Sequence, residues 1–182
     1  MIVIMAGLPG TGKSTLARAL AQRLPGTVLD KDAIRAALFQ PEHIEYSLAQ
    51  DGFCQEIMLQ TAGYLLTKDS KLHVFLDGRT FSRRYQRNRV IEFCSQLQTT
   101  WAMLECVCAE PTALGRLVEA ANTHLAANRT PELYREIRKA WEPIEQPKLV
   151  IDTDEDLHSC VNQALRYLRS GSADDLAASC QP

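Results

Sequence analysis

The residues best suited to chemistry stand near the start of the chain. Gly7-Leu8-Pro9-Gly10-Thr11-Gly12-Lys13-Ser14-Thr15 matches the pattern G-x-x-x-x-G-K-[ST] from Gly7 to Ser14 without a departure. Glycines let backbone N–H groups converge on phosphate oxygens, because no Cβ blocks the approach. A helix that follows directly points its positive end at the same anion. Lys13 is expected to reach the β- and γ-phosphates, and Ser14 to ligate Mg²⁺. Gly7, Gly10, Thr11, Gly12, Lys13, Ser14 and Thr15 are therefore the expected binding residues for a nucleoside triphosphate. Two further features narrow the reaction. No N-K-x-D that would read guanine occurs anywhere in the chain. Asp77 ends an apolar run and is followed by Gly78-Arg79-Thr80, not by the Glu with which hydrolysing ATPases orient a water. Transfer to a bound hydroxyl is favoured over simple hydrolysis.

Such groups need a scaffold, and the periodicities supply one. Residues 2–6 are a short all-apolar run, as expected of a buried parallel strand. Residues 14–24 follow at helical spacing and stop at Pro25-Gly26. Further strands are predicted at 27–29, 72–76, 101–108 and 149–151. Between and after them, helices are predicted at 33–39, 46–68, 82–97, 112–126, 132–141 and 155–169, with a polar connection at 41–45 and a break at 127–131. Strands alternating with helices imply an α/β, three-layer α/β/α fold with a five-stranded parallel sheet and active groups at the strands' carboxyl ends. The expected organisation is one domain over 1–169, with a helical lid at about 112–142, and a flexible Ser/Asp/Ala-rich tail over 170–182.

Composition agrees with this class. The chain has 182 residues, enough for one full core, and a net charge of −2, which argues against a surface built throughout for nucleic acid. The six cysteines form no C-x-x-C pair, so neither a zinc ribbon nor a thiol-redox site is expected. Cys106 and Cys108 alternate along a strand and read as small buried thiols. No secretory leader precedes Gly7, and no apolar run approaches the ~20 residues needed to cross a bilayer. A cytoplasmic protein without a membrane partner is the expectation, and the oligomeric state is left open.

These residues resemble a family: the small P-loop kinases that include the 5′-kinase domain of phage polynucleotide kinase, chloramphenicol phosphotransferase, gluconate kinase and the zeta toxins. The resemblance runs from Ile2 to about Arg169. Beyond the loop it rests on Asp32-Ala33-Ile34-Arg35 after the second strand, on Asp77 in Phe75-Leu76-Asp77-Gly78-Arg79-Thr80, and on lid arginines matched by Arg116 and Arg129. It implies an ATP-dependent kinase using Mg²⁺, with Lys13, Asp32, Arg35, Asp77, Arg116 and Arg129 as catalytic residues. Asp32 is the expected base for the acceptor hydroxyl, with an N-cap of the following helix as its competing role. Asp30 is the nearest rival carboxylate. Arg35 is expected on acceptor or phosphate, Asp77 on Mg²⁺ with Ser14 or on the acceptor, and Arg116 and Arg129 on the transferring phosphoryl group. By position, Arg116 and Asp152-Thr153-Asp154 also lie where an adenine would bind.

The acceptor is less legible. Arg79, Arg83, Arg84, Arg87 and Arg89 form a basic cluster that would suit phosphate, although a solvated helix face explains it as well. Aromatic residues for base stacking are sparse there, with Phe81 and Tyr85 alone nearby. A hydroxylated small molecule is the favoured acceptor, a nucleic-acid 5′-hydroxyl the alternative, and a nucleotide-binding module without efficient transfer a third. His43, in the polar connection, is either an acceptor-pocket residue or an exposed loop histidine.

Overall fold

The computed structural model describes residues 1–120, 126 and 128–170. Beyond Ser170 the expected flexible tail lies outside the described residues, as do residues 121–125 of the helix expected at 112–126. Five strands alternate with helices: β1 (Ile2–Ala6), α1 (Lys13–Ala21), β2 (Gly26–Asp30), α2 (Lys31–Leu38), α3 (Leu48–Lys68), β3 (His73–Asp77), α4 (Arg84–Gln96), β4 (Trp101–Val107), α5 (Glu110–Ala120), α6 (Pro131–Lys139), β5 (Leu149–Asp152) and α7 (Leu157–Arg169). A single 3₁₀ turn at Pro41–His43 lies between α2 and α3.

The strands pair in the order β2-β3-β1-β4-β5, and every pairing is parallel. This is the three-layer α/β/α architecture expected from the alternation. All five residues of β1 are buried because the strand is covered on both faces. Period-two alternation sends Val3 and Met5 to one face, where Leu16, Leu20, Val161 and Leu165 of α1 and α7 cover them. Ile2, Ile4 and Ala6 face the other side, against Met58, Leu59, Val90 and Cys94 of α3 and α4. A smaller cluster of Ala113, Leu117 and Tyr134 joins α5 to α6 over Leu8.

After β1 the chain passes to β2 and β3 on one side, then crosses to β4 and β5 on the other. The carboxyl end of β1 is thus a topological switch point, where α/β sheets open a crevice. Several element boundaries differ from the periodicity in informative ways. α2 begins at Lys31 because Asp30 caps it, its carboxylate accepting from the N–H groups of Asp32 and Ala33. α3 begins at Leu48, where the Ser47 hydroxyl accepts from Gln50 N–H at 3.1 Å. β3 runs one residue further than the apolar pattern and takes in Asp77. No helix among the described residues is long and apolar enough to cross a membrane.

Candidate active site

The segment between β1 and α1 has the open, glycine-shaped backbone that its sequence requires. Gly10 has φ +80°, and a Cβ there would lie 2.4 Å from the Ala113 carbonyl of α5. The loop is therefore closely packed on α5. The Lys13 ammonium bends back to donate to the carbonyls of Gly7 (2.9 Å) and Leu8 (2.7 Å). Burial lowers its pKa to about 8, with the charge of Asp77 acting in the opposite direction. Thr11 closes the loop through its hydroxyl, 2.8 Å from the Leu8 carbonyl.

Arg116 reaches across from α5 to the segment after β5. Its guanidinium donates to the Thr153 hydroxyl at 3.0 Å and the Thr153 carbonyl at 2.8 Å. The Thr153 hydroxyl in turn lies 3.1 Å from the Thr11 carbonyl, which locks this segment to the loop. With Gly10, Gly12, Lys13, Ser14, Thr15 and Arg129, Arg116 lines one cavity beside the loop.

On the other side of Lys13 lies a second cavity, of about 300 Å³, lined by the carboxyl ends of β2 and β3, by α2 and by α6. Three of its acidic residues, Asp30, Asp32 and Asp77, have different surroundings. Asp30 is the helix cap. Its carboxyl pKa is raised, chiefly by burial and then by the charge of Asp77, its register partner on β3. Asp32 is not the cap, contrary to the competing role considered from sequence; it lies in the first turn of α2, 8% exposed. Its carboxylate takes the Arg35 guanidinium at 2.9 Å and the Lys31 ammonium at 3.0 Å. The same two cations also hold Asp51 of α3, Lys31 at 2.7 Å and Arg35 through its other terminal nitrogen. The Tyr46 ring stacks 5.0 Å from the centre of the Arg35 guanidinium. Asp77 is fully buried, and neither carboxylate oxygen has a protein partner. Gly78, with φ +79°, follows it; a Cβ there would meet an Asp30 carboxylate oxygen at 2.7 Å, so the two acidic strand ends can close on each other only over a glycine.

Arg129 stands just before Thr130, whose hydroxyl caps α6 by accepting from Leu133 N–H at 3.2 Å. Burial lowers the Arg129 pKa, while the charges of Asp32, Asp77 and Asp30 raise it. Arg129, Lys13 and Ser14 line both cavities. The structure thus brings Lys13, Ser14, Asp32, Asp77 and Arg129 to one cleft. It places Arg35 behind Asp32, and Arg116 on the loop side alone.

The arginine cluster separates into different roles. Arg87 is fully buried, donating to the carbonyls of Phe81 (2.8 Å), Glu142 (3.4 Å) and Pro143 (3.0 Å), so it is no solvated residue. Arg83, Arg84 and Arg89 pair with Glu142, Glu145 and Glu56. Arg79 is 4% exposed and lines the second cavity. His43 is exposed and lines a separate shallow groove with Glu42 and Glu45. Sequence reading missed Lys31, Tyr46 and Asp51. Asp51 stands on a different helix from Lys31 and Arg35, and no spacing rule connects them.

A divalent cation fits this donor set. Among the described residues no group of three His, Cys, Asp or Glu could hold a metal. A single orphaned carboxylate at Asp77 with the Ser14 hydroxyl, both lining one cavity, instead suits Mg²⁺, which keeps water and phosphate oxygens as its other ligands.

Comparison with known proteins adds the wider context. Curated proteins gave no significant sequence match. Among solved structures, a gluconokinase from Sinorhizobium meliloti superposes with TM-score 0.67 at 19% identity, over 99% of this chain and 97% of that one. An APS kinase from Mycobacterium tuberculosis, in complex with AMPPNP and APS, gives TM-score 0.68 at 16% identity, over 92% and 96% of the two chains. Kti12 from Chaetomium thermophilum, in complex with ADP-AlF3, gives 0.65 at 14%, over 91% and 98%. At such identities the likeness is one of fold. The family described as an AAA domain matches residues 2–144, most of the chain, and this protein therefore belongs to that family, built on the fold of the small P-loop kinases.

Proposed function

We propose that the protein is an ATP-dependent kinase that transfers the γ-phosphoryl group to a hydroxyl of a small molecule. The observation that carries this reading is the meeting of two cavities at Lys13, Ser14 and Arg129. A donor bound in the loop and an acceptor bound beside Asp32 would face each other across those residues, the arrangement in-line transfer needs. The acceptor oxygen would bond to the γ-phosphorus as the bridging P–O bond to ADP breaks. The hydroxyl proton would pass to the Asp32 carboxylate, giving ADP and a phosphate ester. Arg35 and Lys31, paired with its carboxylate, would hold Asp32 aimed at the acceptor. Lys13 and Arg129 would neutralise charge on the transferring oxygens.

Ser14 and Asp77 would hold Mg²⁺, which when bound supplies charge neutralisation at the phosphates. Arg116, tied to Thr153, would line the nucleoside end of the donor site. The α5–α6 segment, about 112–142, would act as a lid that brings Arg129 to the donor.

The paired state of Arg83, Arg84 and Arg89 and the internal role of Arg87 leave no track of unpaired arginines on α4 for a polynucleotide backbone. That favours the small-molecule acceptor. The test is a transfer screen with labelled ATP over sugars, sugar acids, nucleosides, aminoglycosides and 5′-hydroxyl oligonucleotides. On the acceptor it identifies, Asp32→Asn is expected to lower kcat by about 10²- to 10⁴-fold, with ATP affinity unchanged. Full activity in that variant would remove Asp32 as the base. Absence of transfer to every acceptor, with ATP still bound, would leave a nucleotide-binding module.

A further inference from the structure

Of the cations that line the second cavity, the proposed transfer leaves two without a role, and one of them, Arg83, is paired with Glu142; the other is Arg79. Arg79 follows Asp77 by two residues and is buried, 4% exposed. One terminal nitrogen donates to the Asp51 carbonyl at 2.7 Å, and the Tyr85 hydroxyl is a further partner. Its Nε is buried with no partner at all. Both partners are neutral, and among the described residues no carboxylate forms an ion pair with it. The Asp51 carboxylate, the strongest attractive charge acting on Arg79, is already held by Lys31 and Arg35.

On this wall, therefore, three buried cations (Lys31, Arg35 and Arg79) share two carboxylates, Asp32 and Asp51. A buried guanidinium without a carboxylate of its own is costly, and evolution of a cavity around one is explained most simply by an anion that arrives with the ligand. Arginine also presents the planar donor fork that matches a carboxylate or phosphate. The remaining wall has another character. Tyr46, Leu133 and Ile137 are apolar or aromatic, while Ser82 and Gln86 offer hydroxyl and amide partners. A cavity of about 300 Å³ with one cationic end and a mixed wall suits a compact molecule.

We infer that the acceptor is a small hydroxylated molecule carrying one oxyanion, a carboxylate or a phosphate monoester. The charge sits against Arg79 while a hydroxyl reaches Asp32. This rests on the kinase reading for the role of Asp32, but the anion site itself stands or falls separately.

The test uses matched probes: glycerol, glycerate and glycerol phosphate, and glucitol, gluconate and glucitol 6-phosphate. Each is titrated calorimetrically onto the ADP-bound protein and assayed for transfer from ATP. In at least one set a charged member is expected to bind about tenfold or more tightly than its neutral counterpart, and the carboxylate and phosphate arms tell the two oxyanions apart. Arg79→Gln is expected to raise the KM for that acceptor by about 10- to 100-fold, with kcat altered far less and the KM for ATP unchanged. Arg79→Lys keeps the charge and is expected to retain part of the preference, which separates charge recognition from a folding defect. Melting temperatures of both variants check the fold.

Three results would overturn the inference: no charged probe binds, neutral and charged probes bind alike, or the preference survives in Arg79→Gln. Arg79-dependent binding of a charged probe without transfer would uphold the anion site and sink the kinase reading. Undiminished transfer by Arg79→Gln to a neutral polyol or a 5′-hydroxyl oligonucleotide would do the reverse.

Discussion

Lys13 illustrates how a single side chain couples burial to ligand charge. In the cleft its pKa is lowered to about 8, chiefly because burial disfavours the ammonium. Triphosphate oxygens beside it would raise that pKa again. Binding should then take up a proton wherever the free protein has lost it. The sign follows from linkage: affinity is at its full value below the free-state pKa of about 8 and declines as pH rises through it. ATP affinity is expected to weaken by up to about tenfold per pH unit above that point. Calorimetry in buffers of different ionisation enthalpy checks this, since it should show proton uptake near pH 8 that disappears in Lys13→Met. At the same scale, Asp30 and Asp32 show that two carboxylates two positions apart take different work. Asp30 is spent on backbone N–H groups, which leaves Asp32 to the cleft.

Between elements, the buried Arg87 is the most consequential contact that is not part of the cleft. It joins α4 to the segment after α6 through the carbonyls of Glu142 and Pro143 and through Gln146, which accepts from its Nε at 3.2 Å, and it also holds the Phe81 carbonyl before α4. Glu142 reinforces the joint, its carboxylate accepting from Arg84 N–H at 2.5 Å. Replacing Arg87 with Met would keep volume but strand the buried carbonyl of Phe81 and remove the bonds to the partly buried carbonyls of Glu142 and Pro143. A loss of about 3 kcal/mol is expected, read as a lower denaturant midpoint at nearly constant m-value. Because this joint fixes where α6 begins its return to the sheet, KM for the acceptor should rise as well.

For the molecule as a whole, the parallel order β2-β3-β1-β4-β5 opens the cleft at the switch point beside β1. Core residues on both faces of β1 hold the strand that leads into the loop. Ligand in the loop thus contacts the centre of the fold, and its binding energy adds to folding stability. At about 100 times its Kd, Mg-ATP should stabilise the protein by about 2.7 kcal/mol. For a domain of this size that corresponds to a rise in Tm of roughly 5–10 °C. Scanning calorimetry checks it. Lys13→Ala should abolish most of the rise, and an unchanged rise in that variant would count against Lys13 as a phosphate ligand.

Much of this was legible in the linear chain because its signals are local. The loop from Gly7 to Ser14, the apolar strand before it and the helix after it lie within consecutive residues, so composition and period alone reveal them. Asp32 and Arg35, one helical turn apart, form the ion pair that their spacing allows. The alternation of strands and helices likewise implied a parallel sheet between helical layers. What tertiary structure decided are partnerships across elements. Asp51 from α3 completes the charge group of α2, and Asp30 takes the cap that left Asp32 available. The arginines after β3 look alike in sequence, yet Arg87 became an internal clamp, Arg83, Arg84 and Arg89 surface pairs, and Arg79 a buried cation whose nearest carboxylate, Asp51, is held by Lys31 and Arg35. Local spacing sets which residues share a turn or a face. Which charges meet, and which one is left waiting for an anion, is set only when packing brings distant elements together and removes the water between them.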